Sequence, residues 1–207
     1  MQSDCATVYA LAIKFGLLDV ADRKGAGDRL AELVRDNGFR NSTGFAGTSF
    51  VTDAPTATGH LDAAYRLLLE QKCPSWLYPV TMGATTVWER WDSMLPDGTI
   101  IPGEMTGFNH YALGAVADWM HRIIGGITSL EPGSSRVSIA PQPGGNLAWA
   151  KAAVDSPHGR IAAHWSLDDT ATLRMQVEVP VGVTAVVRIP GIDAQEVGVG
   201  TPVFTSH

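Results

Sequence analysis

The sequence predicts an α-then-β protein, a helical first part over residues 1–131 and a small antiparallel β-sandwich over residues 132–207. Three observations carry this. Apolar residues up to Ile127 recur at helical spacing, whereas Leu173, Met175, Val177 and Val179 alternate strictly with Arg174, Gln176 and Glu178. Between the two patterns stands the breaker Glu131-Pro132-Gly133. Beyond it, turn residues return at short intervals.

In the helical part, Tyr9, Ala12, Ile13 and Leu17 predict a helix over residues 7–18. Leu30, Leu33 and Val34 predict another over residues 28–37, closed by Gly38, and Gly25 and Gly27 argue against extending it upstream. Leu61, Ala64, Tyr65 and Leu68 share one face of a third, over residues 61–71. The longest stripe, from Phe108 and Tyr111 through Trp119 to Ile127, predicts a long helix with Thr106 as its N-cap and a loose end at Gly125-Gly126. Strands are expected at residues 136–140, 147–154, 160–167, 173–179, 184–189 and 197–204. Turn residues such as Ser156-Pro157-His158-Gly159 and Pro190-Gly191 separate them. The run Pro141 to Asn146 reads as a connector, since its glycine pair opens no helix whose amides would hold a phosphate.

Composition excludes several functions. The chain is 45% apolar and 17% charged with a net charge of −6, and it has no cluster of Lys and Arg, so a nucleic-acid partner is not expected. No apolar run approaches the ~18–20 residues that span a bilayer, so no membrane partner is expected. The first residues have neither a basic region nor a small-residue cleavage site, which predicts a cytoplasmic location for a chain that starts this way. The scattered histidines form no metal-ligating pattern and no nucleotide motif is present, so neither metal nor cofactor is expected. Cys5 and Cys73 lie far apart and read as two thiols.

The chemistry concentrates in Trp88-Glu89-Arg90-Trp91. Indole faces stack on a pyranose ring while a carboxylate takes its hydroxyls, and a partly dried glutamate suits proton transfer. The same spacing also fits two core tryptophans of a short helix with an exposed Glu89-Arg90 pair. Asp97-Gly98 reads as a turn. Glu104 and His110 stand near the start of the long predicted helix, where Glu104 complements the helix dipole. Spacing alone leaves these alternatives open.

Several runs together resemble the C-terminal part of bacterial α-L-rhamnosidases, glycoside hydrolase family 78. They are Thr43-Gly44-Phe45-Ala46-Gly47-Thr48, Pro74-Ser75-Trp76-Leu77-Tyr78, Gly83-Ala84-Thr85-Thr86-Val87-Trp88-Glu89-Arg90-Trp91 and Phe108-Asn109-His110-Tyr111-Ala112, with a β-rich tail from Pro132 onward. The resemblance implies the last half of an (α/α)6 barrel followed by the closing β-sandwich. It implies inverting hydrolysis of terminal α-L-rhamnosides, with rhamnose-containing glycosides and the N-terminal remainder of the enzyme as partners. By motif match Glu89 is implied as the general base, His110 as a rhamnose contact, and Trp88 and Trp91 as the wall around the base. The family's general acid lies in an upstream acidic motif that residues 1–80 do not contain. Two other readings remain: a non-catalytic carbohydrate-binding module using the Trp88, Trp91 and His110 surface or Trp149 and Trp165 of the sandwich, and another α/α-barrel glycosidase or lyase using Glu104.

Overall fold

A computed structural model describes residues 3–103 and 105–206, in two compact units, Met1–Ala117 and Asp118–His207. In the first unit the helices α1 (Ala6–Lys14), α2 (Val20–Asp36), α3 (Phe45–Thr48), α4 (Asp53–Ala57), α5 (Leu61–Leu69) and α6 (Leu77–Thr81) follow one another. Their shared core is built from Ala6, Ala10 and Ile13 of α1, Leu30 and Val34 of α2, Val51, Ala54 and Leu67. These positions recur three, four and seven apart, the spacing that puts side chains on one helical face.

Two helices depart from expectation in length. Helix α1 stops at Lys14 because Gly16 turns the chain out at φ +63°, and Leu17 is left 73% exposed. Helix α2 runs straight through Gly25 and Gly27. A Cβ at Gly27 would lie 2.4 Å from Thr58, just past the end of α4, so this glycine permits a close approach that outweighs its weak helix propensity. The short helices α3, α4 and α6 carry no sustained periodicity and are not expected from the sequence.

The long predicted helix is the main correction. Residues 105–111 are irregular, and Thr106 caps nothing. A 3₁₀ turn begins only at Ala112–Ala115 and passes through α7 (Val116–Trp119) into a π-helical turn, Met120–Ile124. Phe108 and Tyr111 mimic a helical stripe but are committed elsewhere: Phe108 packs on Trp88, and Tyr111 is 89% exposed and stacks on His110.

The second unit holds two four-stranded sheets. One runs β1 (Ile127–Ser129), β2 (Arg136–Ile139), β6 (Thr184–Val187), β7 (Gln195–Val197), and the other β3 (Trp149–Ser156), β4 (Gly159–Leu167), β5 (Leu173–Glu178), β8 (Val203–Thr205). Strand β5 buries Leu173, Met175 and Val177 and exposes the residues between them, as its alternation predicts. Two expectations need correction. The pair β2–β6 is parallel, Arg136 opposite Thr184, because the chain builds three strands of the other sheet before it returns beside β2. The single strand expected at residues 197–204 is two strands in different sheets, with Gly198, Gly200 and Pro202 breaking the ladder between them.

Trp165 is fully buried in β4, and its indole N–H donates to the Ile124 carbonyl at 2.6 Å. That burial removes it from any surface sugar site. Trp165→Phe strands a buried carbonyl without its donor, so unfolding free energy should fall by about 1–3 kcal/mol, and Trp165→Ala should cost about 3–5 kcal/mol. Urea denaturation monitored by circular dichroism checks both, and a Trp165→Ala variant as stable as the parent contradicts this packing.

Candidate active site

Residues 86–89 and 107–110 lie side by side and pair almost as strands do. The Glu89 N–H donates to the Gly107 carbonyl at 2.9 Å, and the His110 N–H donates to the Val87 carbonyl at 2.8 Å. The Thr86 hydroxyl adds a hydrogen bond to the Phe108 carbonyl. Here Trp88 goes inward, 4% exposed, edge-on to Phe108 at 5.3 Å and to Tyr78 at 6.4 Å. Glu89 goes the other way. Its Oε2 accepts from the Gly107 N–H at 2.8 Å, so the peptide that pairs with its backbone also holds its carboxylate.

The carboxylate stands on a hollow of about 410 Å³, lined among others by Phe45, Cys73, Arg90, Trp91, Asp92 and Leu113. Its walls are cross-linked. Trp91 donates its indole N–H to the Thr43 carbonyl at 3.4 Å and packs edge-on against Trp76 at 5.6 Å. Trp76 in turn donates to the Leu113 carbonyl at 2.8 Å. Thr43 is buried against the Thr48 hydroxyl at 3.0 Å, which braces the loop of residues 41–44 that leads into Phe45 at the start of α3. The Asn41 N–H, bonded to the Pro74 carbonyl at 2.8 Å, ties that loop to the far wall.

His110 is a ring in a stack. Phe45 lies on one neighbour position at 4.8 Å and 11°, Tyr111 on another at 5.5 Å and 6°. Its Nδ1 accepts from the Ala112 N–H at 3.3 Å, which leaves Nε2 as the nitrogen free to donate from a neutral ring. Arg90 grips Asp92 with two nitrogens, at 3.1 and 3.3 Å, and so neutralises the second carboxylate of the hollow. Burial, then the negative charge of Asp92, pushes the Cys73 thiol above its ordinary pKa, so it stays protonated and unreactive at neutral pH.

Of the residues singled out in the sequence, Glu89 and Trp91 share the hollow, and His110 is joined to it through Phe45. Trp88 is not brought there; it fills the core behind Glu89. Asp97 is occupied in a turn, where the Thr99 hydroxyl and N–H hold its carboxyl below the usual range. Glu104 lies outside the described residues. Among the described residues no three His, Cys, Asp or Glu side chains are grouped to hold a metal, and no helix is long and apolar enough to cross a membrane. Residue-by-residue reading missed Phe45, Gly107 and the Arg90–Asp92 fork. Only the position of Gly107, just ahead of Phe108-Asn109-His110, offered a signal.

The comparisons with known proteins agree with one another. The profile of the bacterial α-L-rhamnosidase 6 hairpin glycosidase domain matches residues 1–124, and that of the bacterial α-L-rhamnosidase C-terminal domain matches residues 126–203. An α-L-rhamnosidase of Streptomyces avermitilis is 42% identical over 92% of this chain and 18% of its own length. One from Formosa agariphila is 36% identical over 97% of this chain and 22% of its own length. Among solved structures, native α-L-rhamnosidase from Aspergillus terreus superposes on 100% of the chain and 24% of its own, with a TM-score of 0.96 and 39% identity. The Streptomyces avermitilis α-L-rhamnosidase complexed with L-rhamnose gives a TM-score of 0.94 at 38% identity, over 100% of this chain and 22% of that one. The chain thus spans about a fifth of the length of the curated relatives it matches. With both profiles in chain order over nearly its whole length, this chain belongs to the bacterial α-L-rhamnosidase family.

Proposed function

We propose that this chain supplies the general-base half of an inverting α-L-rhamnosidase that removes terminal α-L-rhamnose from glycosides. The observation that carries the reading is the Glu89 carboxylate, fixed by the Gly107 N–H on the hollow that Trp91 and Phe45 wall. In this scheme Glu89 takes a proton from a water as the water oxygen attacks the anomeric carbon. The bond to the leaving oxygen breaks on the opposite face, and that oxygen receives a proton from a general acid. An inverting pair needs carboxyls roughly 6.5–9.5 Å apart to make room for the water. The family resemblance implies an acid in an upstream motif that residues 1–80 do not contain, while Asp92 is engaged by Arg90 and Asp97 by Thr99. His110 holds a sugar hydroxyl through Nε2, and Trp91 bounds the base.

In this reading residues 1–131 are the closing part of an (α/α)6 barrel and residues 132–207 its terminal sandwich. Exposed apolar side chains on the first unit, Phe15, Leu17, Val20 and Val80, support it, since a barrel helix covers such residues with its neighbours. A second reading, a sugar-binding module, is favoured by Trp149. It stands 60% exposed on β3, edge-on to His164 at 6.4 Å with the Lys151 ammonium 5.8 Å from its ring. Loss of rhamnoside binding on Trp149→Ala, with hydrolysis absent from the full-length protein, would select that reading.

In the full-length protein Glu89→Gln should lower kcat by ~10²–10⁴ with the pocket's shape retained; a variant keeping more than about a third of wild-type kcat would assign Glu89 to structure. His110→Ala should raise KM at least as much as it lowers kcat, read from initial rates on an aryl α-L-rhamnoside. The isolated chain should show no hydrolysis of an unactivated rhamnoside and should self-associate in light scattering; an active monomer contradicts the division of the acid and base.

A further inference from the structure

We infer that Gly107 is a positioning residue for Glu89, a site where the absence of a side chain sets the aim of the catalytic carboxylate; the inference rests on the general-base reading of Glu89. Gly107 meets Glu89 twice. Its carbonyl accepts from the Glu89 N–H at 2.9 Å, and its N–H donates to Oε2 at 2.8 Å. A backbone donor has no rotamers of its own, so this grip fixes the carboxylate's rotation more firmly than a side-chain partner would. Among the described residues Oε1 carries no hydrogen bond, so it is the oxygen left to face a water.

The need for glycine has a different source from the usual one. Gly107 is not among the residues with positive φ, so its backbone accepts any L-residue. What a Cβ would meet is Glu89 itself: Oε2 at 2.9 Å, Cβ at 3.6 Å and Cδ at 3.9 Å, the three nearest atoms to that position. An added methyl therefore presses on the mobile end of the glutamate side chain. The fold accommodates it by a small turn of Glu89, and the turn moves the carboxylate off its donor. Displacement of a reacting group by ~1 Å costs on the order of 10²-fold in rate.

The test is a double-mutant cycle in the full-length protein, with Gly107→Ala, Glu89→Gln and the pair, assayed on an activated aryl α-L-rhamnoside. Gly107→Ala should lower kcat about 10²-fold with KM within about threefold, and its melting temperature should stay within about 2 °C of wild type. In the Glu89→Gln background the same alanine should change kcat less than about twofold, since the group it acts through is gone. Equal losses in both backgrounds, a kcat for Gly107→Ala near wild type, or a variant that melts far lower or does not fold would each overturn the positioning role. Full activity of Glu89→Gln overturns the general-base reading itself, and is read from the single variant alone.

Discussion

The antiparallel contact between residues 86–89 and 107–110 is the constraint on which the site depends. Each of its backbone hydrogen bonds is worth only about 0.5–1.5 kcal/mol net. Their effect is mainly geometric. They hold Val87 and Glu89 against Gly107 and His110. Trp88 then becomes an anchor in the core, against Tyr78 and Phe108, and Glu89 is turned toward the hollow. The lone carboxylate thus stands between two indoles with different tasks: Trp88 secures the segment from behind, and Trp91 borders the cavity beside it.

The aromatic walls of the hollow are tied through polar edges. Each indole N–H finds a backbone carbonyl, Trp91 at Thr43 and Trp76 at Leu113, so segments far apart in sequence close on one another with few unsatisfied groups. The Phe45–His110 stack then orients the histidine, while the Ala112 N–H selects its tautomer. Charge is managed locally: Arg90 takes up Asp92, and Glu89 is held by a neutral peptide donor instead.

Much of the fold was legible because it follows single periodicities. The stripe of Leu30 and Val34 marks α2, and the alternation from Leu173 to Val177 marks β5. The failures arise where another contact outweighs propensity. Gly27 is tolerated in α2 because Thr58 comes so close. Phe108 and Tyr111 keep a helical spacing by coincidence while one packs on Trp88 and the other on His110. The parallel β2–β6 pair depends on a crossover between sheets that no local signal encodes. At the candidate site, Glu89 and His110 are given roles only through the resemblance of their motifs. Phe45 and Gly107 are given no roles by the sequence, since a lone aromatic opening a four-residue helix and a glycine outside the positive-φ region carry no periodic pattern. Trp88 stands beside Glu89 in sequence and behind it in space.

The central claim is that Glu89 and His110 serve one sugar. A crystal structure of the full-length protein with L-rhamnose bound tests it most directly. The account predicts a rhamnose in the hollow, a water within about 2.6–3.2 Å of the Glu89 carboxylate facing the anomeric carbon, and His110 Nε2 hydrogen-bonded to a sugar hydroxyl. A rhamnose bound elsewhere, or one whose anomeric carbon is turned away from Glu89 with no water between them, would contradict it.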